Sequence, residues 1–354
     1  MLIFKGCDSM ERILTALSGG VDSAVTAGLL REMGYEVGGA TMLLRPGGEG
    51  EAADAEAAAD RLSMPFHLFC WQEDFQRLVI GPFTRIYQTG GTPNPCIFCN
   101  KALKFGKFLD EALDLGYDGM ATGHYARIEY DRGSGRCLLK TARDPAKDQT
   151  YMLAGLDQRQ LSHTVLPLGA YTKEEVRERA ADFGLTRQQG KKDSQDICFV
   201  PDGDYLGYLK AHGLTPQAGN FIEASGAVLG PHRGYEGYTI GQRRGLEIAA
   251  GRRIYVLAKP RPDVVVGDGG ALYARRVFVE DVNWIPFDRL EHPVRAQAKL
   301  RYTTKTALCA VTPTETGAML QFDEPQRAVT PGQAAVLYDG DVVLGGGTIV
   351  GSAK

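Results

Sequence analysis

Apolar positions in the first half of the chain alternate between two spacings. Residues 13–17 form a run, apolar except for Thr15, that is typical of a buried strand. The apolar residues that follow recur on one helical face, at Val25, Leu29, Leu30 and Met33. The pattern predicts further strands at 35–44, 65–71 and 118–122, and further helices at 51–62, at 74–87 with Asp74 as its cap, and at 101–115. Such alternation of strands and helices predicts a parallel sheet covered by helices on both faces.

The spacing changes beyond residue 213, where helical periodicity gives way to short strands separated by glycine. Strands are predicted at 226–230, 235–241, 254–258 and 264–267, and then, with inward and outward residues alternating, at 294–302, 307–311, 318–322, 334–338 and 342–349. We therefore predict an α/β domain over residues 1–212, a small β-rich domain over 213–272 and an antiparallel β-barrel over 273–354. Residues 1–10, ahead of the first strand, have no readable role.

Composition places the chain among soluble globular proteins. The 354 residues carry a formal net charge of −3, and 44% of them are hydrophobic. No apolar run is as long as a membrane helix, which needs about 18 residues. The first residues also lack the apolar core of a signal peptide. We therefore expect a cytoplasmic protein with no membrane partner. Seven cysteines, an odd number diluted through a long chain, argue against a disulfide framework and leave thiols available for chemistry.

The stretch S-G-G-V-D-S at residues 18–23 joins the first predicted strand to the first predicted helix. Adjacent glycines allow a tight turn that points several backbone N–H groups into one concavity, and the helix N-terminus adds its partial positive charge. The loop is therefore a candidate phosphate site at the carboxyl edge of the sheet, where ligands bind in such folds. Its pattern is neither that of a Walker loop nor that of a G-x-G-x-x-G dinucleotide loop.

A second candidate site surrounds the cysteines of T-P-N-P-C-I-F-C-N-K. The two prolines predict an extended segment, which places Cys99 immediately before the helix predicted at 101–115. The helix dipole and the neighbouring Lys101 and Lys104 favour a thiolate at such a position, so Cys99 is predicted to be reactive. The spacing Cys96-x-x-Cys99 alone fits half of a metal site or a redox pair equally well.

Three further stretches carry candidate residues. D-S-Q-D-I-C-F brings Cys198 to a junction of polar and apolar residues, although a free cysteine is more often a small core residue. T-G-H-Y-A follows a predicted strand, where Gly123 and His124 are placed to approach a nucleotide, although a loop histidine with ordinary partners is the commoner case. Y-T-I-G-Q-R-R-G-L lies in the predicted middle domain, and the arginine pairs 243–244 and 252–253 fit either a solvated face or phosphate contacts.

Together these motifs resemble the bacterial tRNA-specific 2-thiouridylase family of the PP-loop ATP pyrophosphatases. S-G-G-V-D-S resembles the PP-loop itself, and the other four stretches extend the resemblance over essentially the whole chain. It implies a PP-loop domain, a small central β domain and a C-terminal β-barrel. It also implies ATP as cofactor, with Mg²⁺ to neutralise the departing pyrophosphate. The residues that it implies in ATP binding are Ala16, Leu17, Ser18, Gly19, Gly20, Val21, Asp22, Ser23, Met42 and Gly123.

The resemblance further implies a reaction on the wobble uridine of the tRNAs for Lys, Glu and Gln. ATP adenylates the uracil 2-oxygen, and sulfur then replaces it to give 2-thiouridine, AMP and pyrophosphate. The cysteine matching Cys198 carries a persulfide received from a cysteine desulfurase or a sulfur-relay protein, and the cysteine matching Cys99 is the nucleophile. Their reaction leaves a Cys99–Cys198 disulfide that a reductant reopens.

The resemblance also implies which residues meet the RNA. Proteins splay out and read the bases of single-stranded loops, and a flipped wobble base fits that requirement. The residues implied near the target base are Asn94, Pro95, Cys96 and His124, and those implied at other tRNA contacts are Lys147, Asp148, Gln149, Arg301, Tyr302 and Gln333.

Cys96 departs from the family pattern, because some members carry there an aspartate that acts as a base or positions one. A thiol is a poor substitute at neutral pH, so the base is left unassigned. Cys96, Cys99 and Cys198 could instead ligate an iron–sulfur cluster with sulfide at the open iron. Two other classes stay open. One is a PP-loop synthetase that uses no sulfur, and the other is an RNA-binding module whose cysteines are structural and which turns over no ATP.

Overall fold

A parallel sheet forms the centre of the first part of the chain. The computed structural model describes residues 10–185, 197–200 and 203–354. Strands of this first part are β1 Arg12–Ala16, β2 Glu36–Leu43, β3 Phe66–Cys70, β4 Gly119–Ala121, β5 Arg127–Asp131, β6 Arg136–Lys140 and β7 Thr164–Val165. Within the described ranges, five of them pair in parallel in the order β3-β2-β1-β4-β7. Because the order reverses at β1, the loop after β1 lies where such sheets bind ligands.

Helices cover both faces of this sheet. Ile13 packs with Ala27 and Ala55 on one face, while its neighbour Leu14 packs with Phe105 and Phe108 on the other. No helix in the described part of the chain is long and apolar enough to cross a membrane. The helices are α1 Val21–Glu32, α2 Glu49–Arg61, α3 Gln72–Phe75, α4 Gly81–Gln88, α5 Pro95–Cys99, α6 Phe108–Asp114, α7 Thr150–Leu153, α8 Gln158–Ser162, α9 Lys173–Asp182 and α10 Tyr205–Ala211, with π-helical segments at Gln76–Ile80 and Asn100–Lys107.

The helix predicted at 74–87 begins earlier than expected. Trp71 occupies its N-cap position, and α3 continues through a π-helical turn into α4. Asp74 lies inside the first turn, where its carboxylate pairs with Arg77 at 2.6 Å and also with Lys107. The prediction of Asp74 as the cap is wrong, because the helix already begins at Gln72 and Trp71 holds the N-cap position.

The middle of the chain folds into a second, smaller sheet. Its strands are β8 Gly219–Glu223, β9 Val228–His232, β10 Tyr255–Ala258 and β11 Val264–Gly267, in the order β10-β11-β8-β9. The strand predicted at 235–241 is wrong. Tyr235 and Glu236 are consecutive and both buried, with 1% of each exposed. In a half-buried strand, consecutive side chains would instead alternate between buried and exposed. The pattern does not predict β8, because Phe221 is its single buried residue.

The last part of the chain closes into a barrel. Its strands are β12 Tyr273–Trp284, β13 Val294–Lys299, β14 Ala307–Pro313, β15 Gly317–Arg327, β16 Ala334–Asp339 and β17 Val342–Ala353. β12 pairs with both β15 and β17, which closes the six strands on themselves. The predicted fold class, an α/β domain followed by a small β domain and a barrel, is confirmed. The boundaries at 212 and 272 stay predictions.

The hairpin formed by β5 and β6 joins the barrel to the first domain. Lys140 of β6 pairs with Val342 of β17, so the hairpin extends the barrel sheet. Ile128 and Leu139 of the hairpin share one apolar cluster with Val336 of the barrel. The barrel is therefore packed against the first domain through a common core. The sequence pattern does not predict this contact.

Candidate active site

The loop S-G-G-V-D-S lies between β1 and α1. Ser23 folds back over it, because Oγ accepts from Ser18 N at 3.0 Å and donates to Gly20 O at 3.1 Å. Gly19 has a φ of 71°, and a Cβ there would lie 2.6 Å from Glu51 O, so the position requires glycine. Gly20 is the N-cap residue of α1 and makes no side-chain cap. The N–H groups of the first helical turn therefore suit an anion.

Gly123 brings the end of β4 against this loop. A Cβ at Gly123 would lie 2.9 Å from Ser23 N and 3.0 Å from the carbonyl carbon of Asp22, so the two backbones are in close contact. Met42 is partly buried near the end of the neighbouring strand β2. The residues implied in ATP binding therefore lie at one edge of the sheet, around the ends of β1, β2 and β4. Their contacts with ATP stay predictions.

The carboxylate of Asp22, inside the loop, is bound from two sides. Lys173 Nζ lies 2.8 Å from each carboxylate oxygen, and Tyr125 OH donates to Oδ1 at 3.0 Å. The sequence does not predict either contact, since the partners lie 151 and 103 positions from Asp22. The motif T-G-H-Y-A contains Tyr125 at its fourth position, and it is the one sequence feature that indicates a role for this residue near the loop.

His124 lies next to Gly123, and its ring has two defined neighbours. Nδ1 is 2.7 Å from Thr122 Oγ1, and the ring packs against Phe105 at a centroid distance of 5.4 Å. Burial lowers the pKa of His124 to about 3, and the positive charge of Lys104 acts in the same direction. The imidazole is therefore neutral at physiological pH. A neutral ring suits a hydrogen bond to a base better than a contact with phosphate.

The helix that carries the paired cysteines begins at Pro95 rather than at Lys101. Proline is well suited to the first helical position, where no N–H is needed. Asn94 caps the helix, since its Oδ1 accepts from Cys96 N at 3.1 Å. The predicted extended segment is therefore wrong from Pro95 onward, and Cys99 lies in the second helical turn instead of ahead of the helix.

Cys99 is buried in an apolar cluster that includes Phe75, Phe83 and Phe199. Burial raises the pKa of the Cys99 thiol to about 11, and the charge of Lys104 opposes the rise only in part. The prediction that helix dipole and lysines favour the thiolate is therefore wrong, because removing a thiolate from water outweighs these charges. The role of Cys99 as nucleophile stays a prediction.

Cys198 lies on the wall of a cavity of about 530 Å³. Cys198 itself is exposed, whereas its neighbour Phe199 packs into the cluster that contains Cys99. Partial desolvation raises the pKa of the Cys198 thiol, and the charges of Lys104 and Arg45 oppose the rise. Both cysteines are free thiols, and a charge on Cys198 acts on the pKa of Cys99. The residues D-S-Q-D that precede Ile197 lie outside the described ranges.

Lys104 is the cation that these groups share. It lies in the π-helical segment after α5, whose wider turn places residues five positions apart on one face, so Lys104 follows Cys99 by one turn. Its charge acts on the thiols of Cys99 and Cys198 and on the imidazole of His124. It is half-buried and pairs with no carboxylate in the described structure. The sequence treats Lys101 and Lys104 alike, but Lys101 is exposed and Lys104 alone acts on the thiols.

Comparison with known proteins assigns these features to a family. Three family models match in chain order: tRNA methyl transferase HUP domain at residues 11–202, tRNA methyl transferase PRC-barrel domain at 207–268 and Aminomethyltransferase beta-barrel domain at 274–349. The tRNA-specific 2-thiouridylase MnmA of Caldicellulosiruptor saccharolyticus is 44% identical over 355 residues, which cover 96% of this chain and 98% of that relative. The chain belongs to the tRNA-specific 2-thiouridylase family.

Other comparisons agree with this membership. The thiouridylase of the same name from Carboxydothermus hydrogenoformans is 46% identical over 356 residues, which cover 96% of this chain and 97% of the relative. The predicted family and its sulfurtransferase class are thus confirmed. Among solved structures, the U34-tRNA thiolase NcsA of Methanococcus maripaludis, described with its 4Fe-4S cluster, is 16% identical with a TM-score of 0.37, covering 58% of this chain and 69% of that one. That similarity is too low to bear on the chemistry.

Two of the residues that the thiouridylase resemblance places at tRNA connect parts of this protein. Arg301 Nη2 donates to Ile240 O at 3.1 Å and to Ala328 O at 3.0 Å, which links the middle domain to the barrel. Gln333 Nε2 donates to Thr92 O at 2.7 Å, which ties the barrel to the T-P-N-P segment. Both side chains position neighbouring segments. Their tRNA contacts stay predictions.

Tyr302 of this protein lies close to Lys147 and Asp148, two other residues that the resemblance implies at tRNA. It is 38% exposed, and Lys299 Nζ lies 5.2 Å from the centre of its ring. Partial desolvation and then the charge of Asp148 raise the pKa of Tyr302, while Lys147 opposes the rise and Cys96 adds to it. The barrel therefore presents an aromatic ring between the 147–149 segment and the first cysteine of the helix.

The iron–sulfur alternative receives no support from the geometry. Within residues 10–185, 197–200 and 203–354, no group of three or more His, Cys, Asp or Glu side chains is arranged to hold a metal. Cys96, Cys99 and Cys198 all lie in these ranges, and their side chains are not arranged so that all three could ligate one metal centre. The thiols do not fit a cluster in this arrangement, and no step is derived through one.

Proposed function

We propose that this protein converts the wobble uridine of the tRNAs for Lys, Glu and Gln to 2-thiouridine, with ATP as the activating substrate and AMP and pyrophosphate as products. The observation that carries the proposal is a pair of free thiols that lie close enough for a charge on Cys198 to act on the pKa of Cys99. Both respond to the charge of Lys104, as does the neutral imidazole that follows Gly123 at the PP-loop. A phosphate loop alone suits any PP-loop synthetase. Two thiols coupled in this way are needed only if sulfur is transferred.

In the first step, the loop at 18–23 holds ATP and the uracil 2-oxygen attacks the α-phosphorus. A bond forms between that oxygen and phosphorus, and the bond to pyrophosphate breaks with its electron pair going to the leaving group. Mg²⁺ would supply charge neutralisation for the pyrophosphate. Asp22 is already paired with Lys173, so phosphate oxygens and water would provide most of the ligands of the Mg²⁺ ion.

In the second step, sulfur replaces the activated oxygen. The terminal sulfur of a Cys198 persulfide attacks C2 of the base, and AMP leaves with the electron pair of the carbon–oxygen bond. The base is then joined to Cys198 through two sulfur atoms. The Cys99 thiolate attacks Cys198 Sγ, and the bond between Sγ and the transferred sulfur breaks with its electron pair going to that sulfur. 2-Thiouridine is released, and a Cys99–Cys198 disulfide is left behind. A dithiol reductant restores both thiols.

The exposure of Cys198 suits the loading of this persulfide. Cys198 is exposed at the cavity wall while Cys99 is buried, so a cysteine desulfurase or sulfur-relay protein has access to the first thiol and not to the second. The pKa of about 11 keeps Cys99 mostly protonated at neutral pH, and a protonated thiol resists oxidation between turnovers. Lys104 stabilises the Cys99 thiolate when it forms.

Contacts with the target base are assigned to the start of the helix that carries the cysteines. Asn94, Pro95 and Cys96 form its N-cap and first turn. His124 is assigned to the same base, because its neutral ring can share hydrogen bonds with a base edge. Tyr302 offers a ring on which a loop base can stack. This arrangement suits a base flipped out of the anticodon loop.

The proposal is tested by incubating the protein with ATP, Mg²⁺, a persulfide donor and unmodified tRNA, followed by mass spectrometry of the nucleosides. Wild type should form 2-thiouridine at the wobble position, while Cys99→Ala and Cys198→Ala should lose about a thousandfold or more of this activity. Cys70→Ala, which removes an exposed thiol elsewhere, is the matched control. AMP formation without any thionucleoside in wild type would contradict the sulfur assignment, and thiolation that requires added iron would favour the cluster.

A further inference from the structure

The buried lysine behind the PP-loop stands out among the charged groups outside the cysteine site. The side chain of Lys173 is 4% exposed, and its ammonium lies 2.8 Å from both carboxylate oxygens of Asp22. Its Nζ also lies 5.9 Å from the centre of the Tyr125 ring. An ammonium removed from water in this way is costly unless a carboxylate compensates it. Asp22, which belongs to the loop itself, provides that compensation.

The helix that carries Lys173 does not explain its presence. Lys173 is the first residue of α9, where a cation opposes the helix dipole. Thr172 caps the helix, and Glu175 completes the capping box, so α9 is already stabilised at this end. A lysine here is unfavourable for the helix, and its favourable contacts lie with the PP-loop.

Tyr125 connects the same carboxylate to the 147–149 segment. Its hydroxyl donates to Asp22 Oδ1 at 3.0 Å. Its backbone is held twice by Gln149, because Tyr125 N donates to Gln149 Oε1 at 2.9 Å and Gln149 N donates to Tyr125 O at 2.9 Å. These two hydrogen bonds fix the backbone of Tyr125, and the phenol hydroxyl extends from it to the loop.

We propose that Lys173 and Tyr125 are positioning residues for the nucleotide, acting through Asp22 without touching ATP. A carboxylate in a phosphate loop repels an incoming triphosphate unless its charge is neutralised. Lys173 neutralises Asp22, and Tyr125 fixes its orientation, so that the first turn of α1 keeps its N–H groups free for phosphate. This inference rests on the proposed binding of ATP at the loop.

The test is direct binding of ATP with Mg²⁺ to the full-length protein, measured by equilibrium dialysis with and without tRNA. Lys173→Met should weaken ATP binding by about a hundredfold, since it leaves an uncompensated carboxylate, and Tyr125→Phe by about tenfold, since it removes one hydrogen bond to a charged group. The double variant Asp22→Asn with Lys173→Met should bind ATP at least about tenfold more tightly than Lys173→Met alone, because it removes both charges. Affinity for tRNA without ATP should not change.

Arg179→Met is the matched control, because it removes a cation from the same helix whose partners are Glu32 and Asp182. If Lys173→Met and Tyr125→Phe bind ATP within twofold of wild type, or lose only thermal stability, the two residues are structural and the inference is wrong. If Lys173→Met does not fold, Tyr125→Phe decides by the same criterion. If wild type binds no ATP with or without tRNA, the proposed function itself is wrong. That outcome differs from the one that contradicts this inference alone, in which wild type and the variants bind ATP equally well.

Discussion

The phosphate loop and the cysteine pair lie near each other but are constructed in opposite ways. The loop is held by hydrogen bonds among Ser18, Gly20 and Ser23, whose positions differ by at most five. Cys99 and Cys198 come from distant segments and are brought near each other by aromatic packing around Phe199. Backbone geometry therefore defines the first site, while burial and a single nearby ammonium group define the second.

This difference teaches where each site is sensitive. A loop made of backbone N–H groups should respond to added side-chain volume, and little to charges other than that of Lys173, which contacts Asp22 directly. A pair of thiols in an apolar cluster should respond to charge, because their ionisation is already disfavoured by burial. Variants that affect one site and spare the other therefore test the comparison directly.

Among variants that compare the two sites while keeping both thiols and the Asp22–Lys173 pair, the largest effect is expected from Gly123→Ala. The new Cβ would lie 2.9 Å from Ser23 N, so the loop or the end of β4 must move. Steric strain of about 1–3 kcal/mol corresponds to about a fivefold to 150-fold loss of ATP affinity. Titration calorimetry measures this loss. Gly50→Ala, where a Cβ meets nothing within 4 Å, should bind ATP as wild type does. Unchanged ATP affinity in Gly123→Ala would show that the close approach is not part of the site.

A smaller effect is expected from Lys104→Gln, and it should fall on the cysteines alone. Removing the ammonium should raise the pKa of Cys99 beyond about 11 and slow its alkylation at about pH 8 by about threefold to tenfold. The rate for the Cys99 peptide, followed by mass spectrometry across pH, measures this. Lys101→Gln is the control, since Lys101 is exposed on the same helix. Equal slowing in both variants would contradict the specific role of Lys104, and ATP affinity should stay unchanged in both.

The smallest effect concerns His124, which follows Gly123 in the chain and responds to the charge of Lys104. Its pKa is about 3 in the folded protein and about 6.5 when unfolded, so between these values the unfolded chain binds more protons and stability falls as pH falls below about 6.5. At about pH 5.5 this costs about 1 kcal/mol relative to neutral pH. In His124→Gln, the free energy of unfolding should fall on acidification by about 1 kcal/mol less than it does in wild type. Urea unfolding measures this difference. His163→Gln is the control, and the same acid response in wild type and His124→Gln would show that His124 is not held neutral.

The sequence predicts the parts of this protein that depend on neighbouring residues. S-G-G-V-D-S predicts its own turn, because two adjacent glycines and a following apolar helix leave few alternatives. The alternation of β13 to β17 predicts the barrel for the same reason. Proline is ambiguous, since Pro95 starts a helix although the pattern reads it as a breaker.

Contacts between distant segments could not be predicted in this way. Asp22 meets Lys173 and Tyr125 only when three elements pack together, and no local pattern encodes that meeting. The pKa of Cys99 depends on the aromatic side chains that bury it, so a rule based on the helix dipole gives the wrong direction. Lys104 differs from Lys101 only through the π-helical turn that places it on the cysteine face.

The central claim is that Cys99 and Cys198 react with one another during sulfur transfer. The most direct measurement is a single turnover with persulfide-loaded protein, ATP, Mg²⁺ and tRNA without reductant, quenched in acid and analysed by peptide mass spectrometry. We predict a disulfide-linked peptide pair that contains Cys99 and Cys198 and forms in step with 2-thiouridine. Formation of 2-thiouridine with Cys99 still recovered as a free thiol would contradict the account.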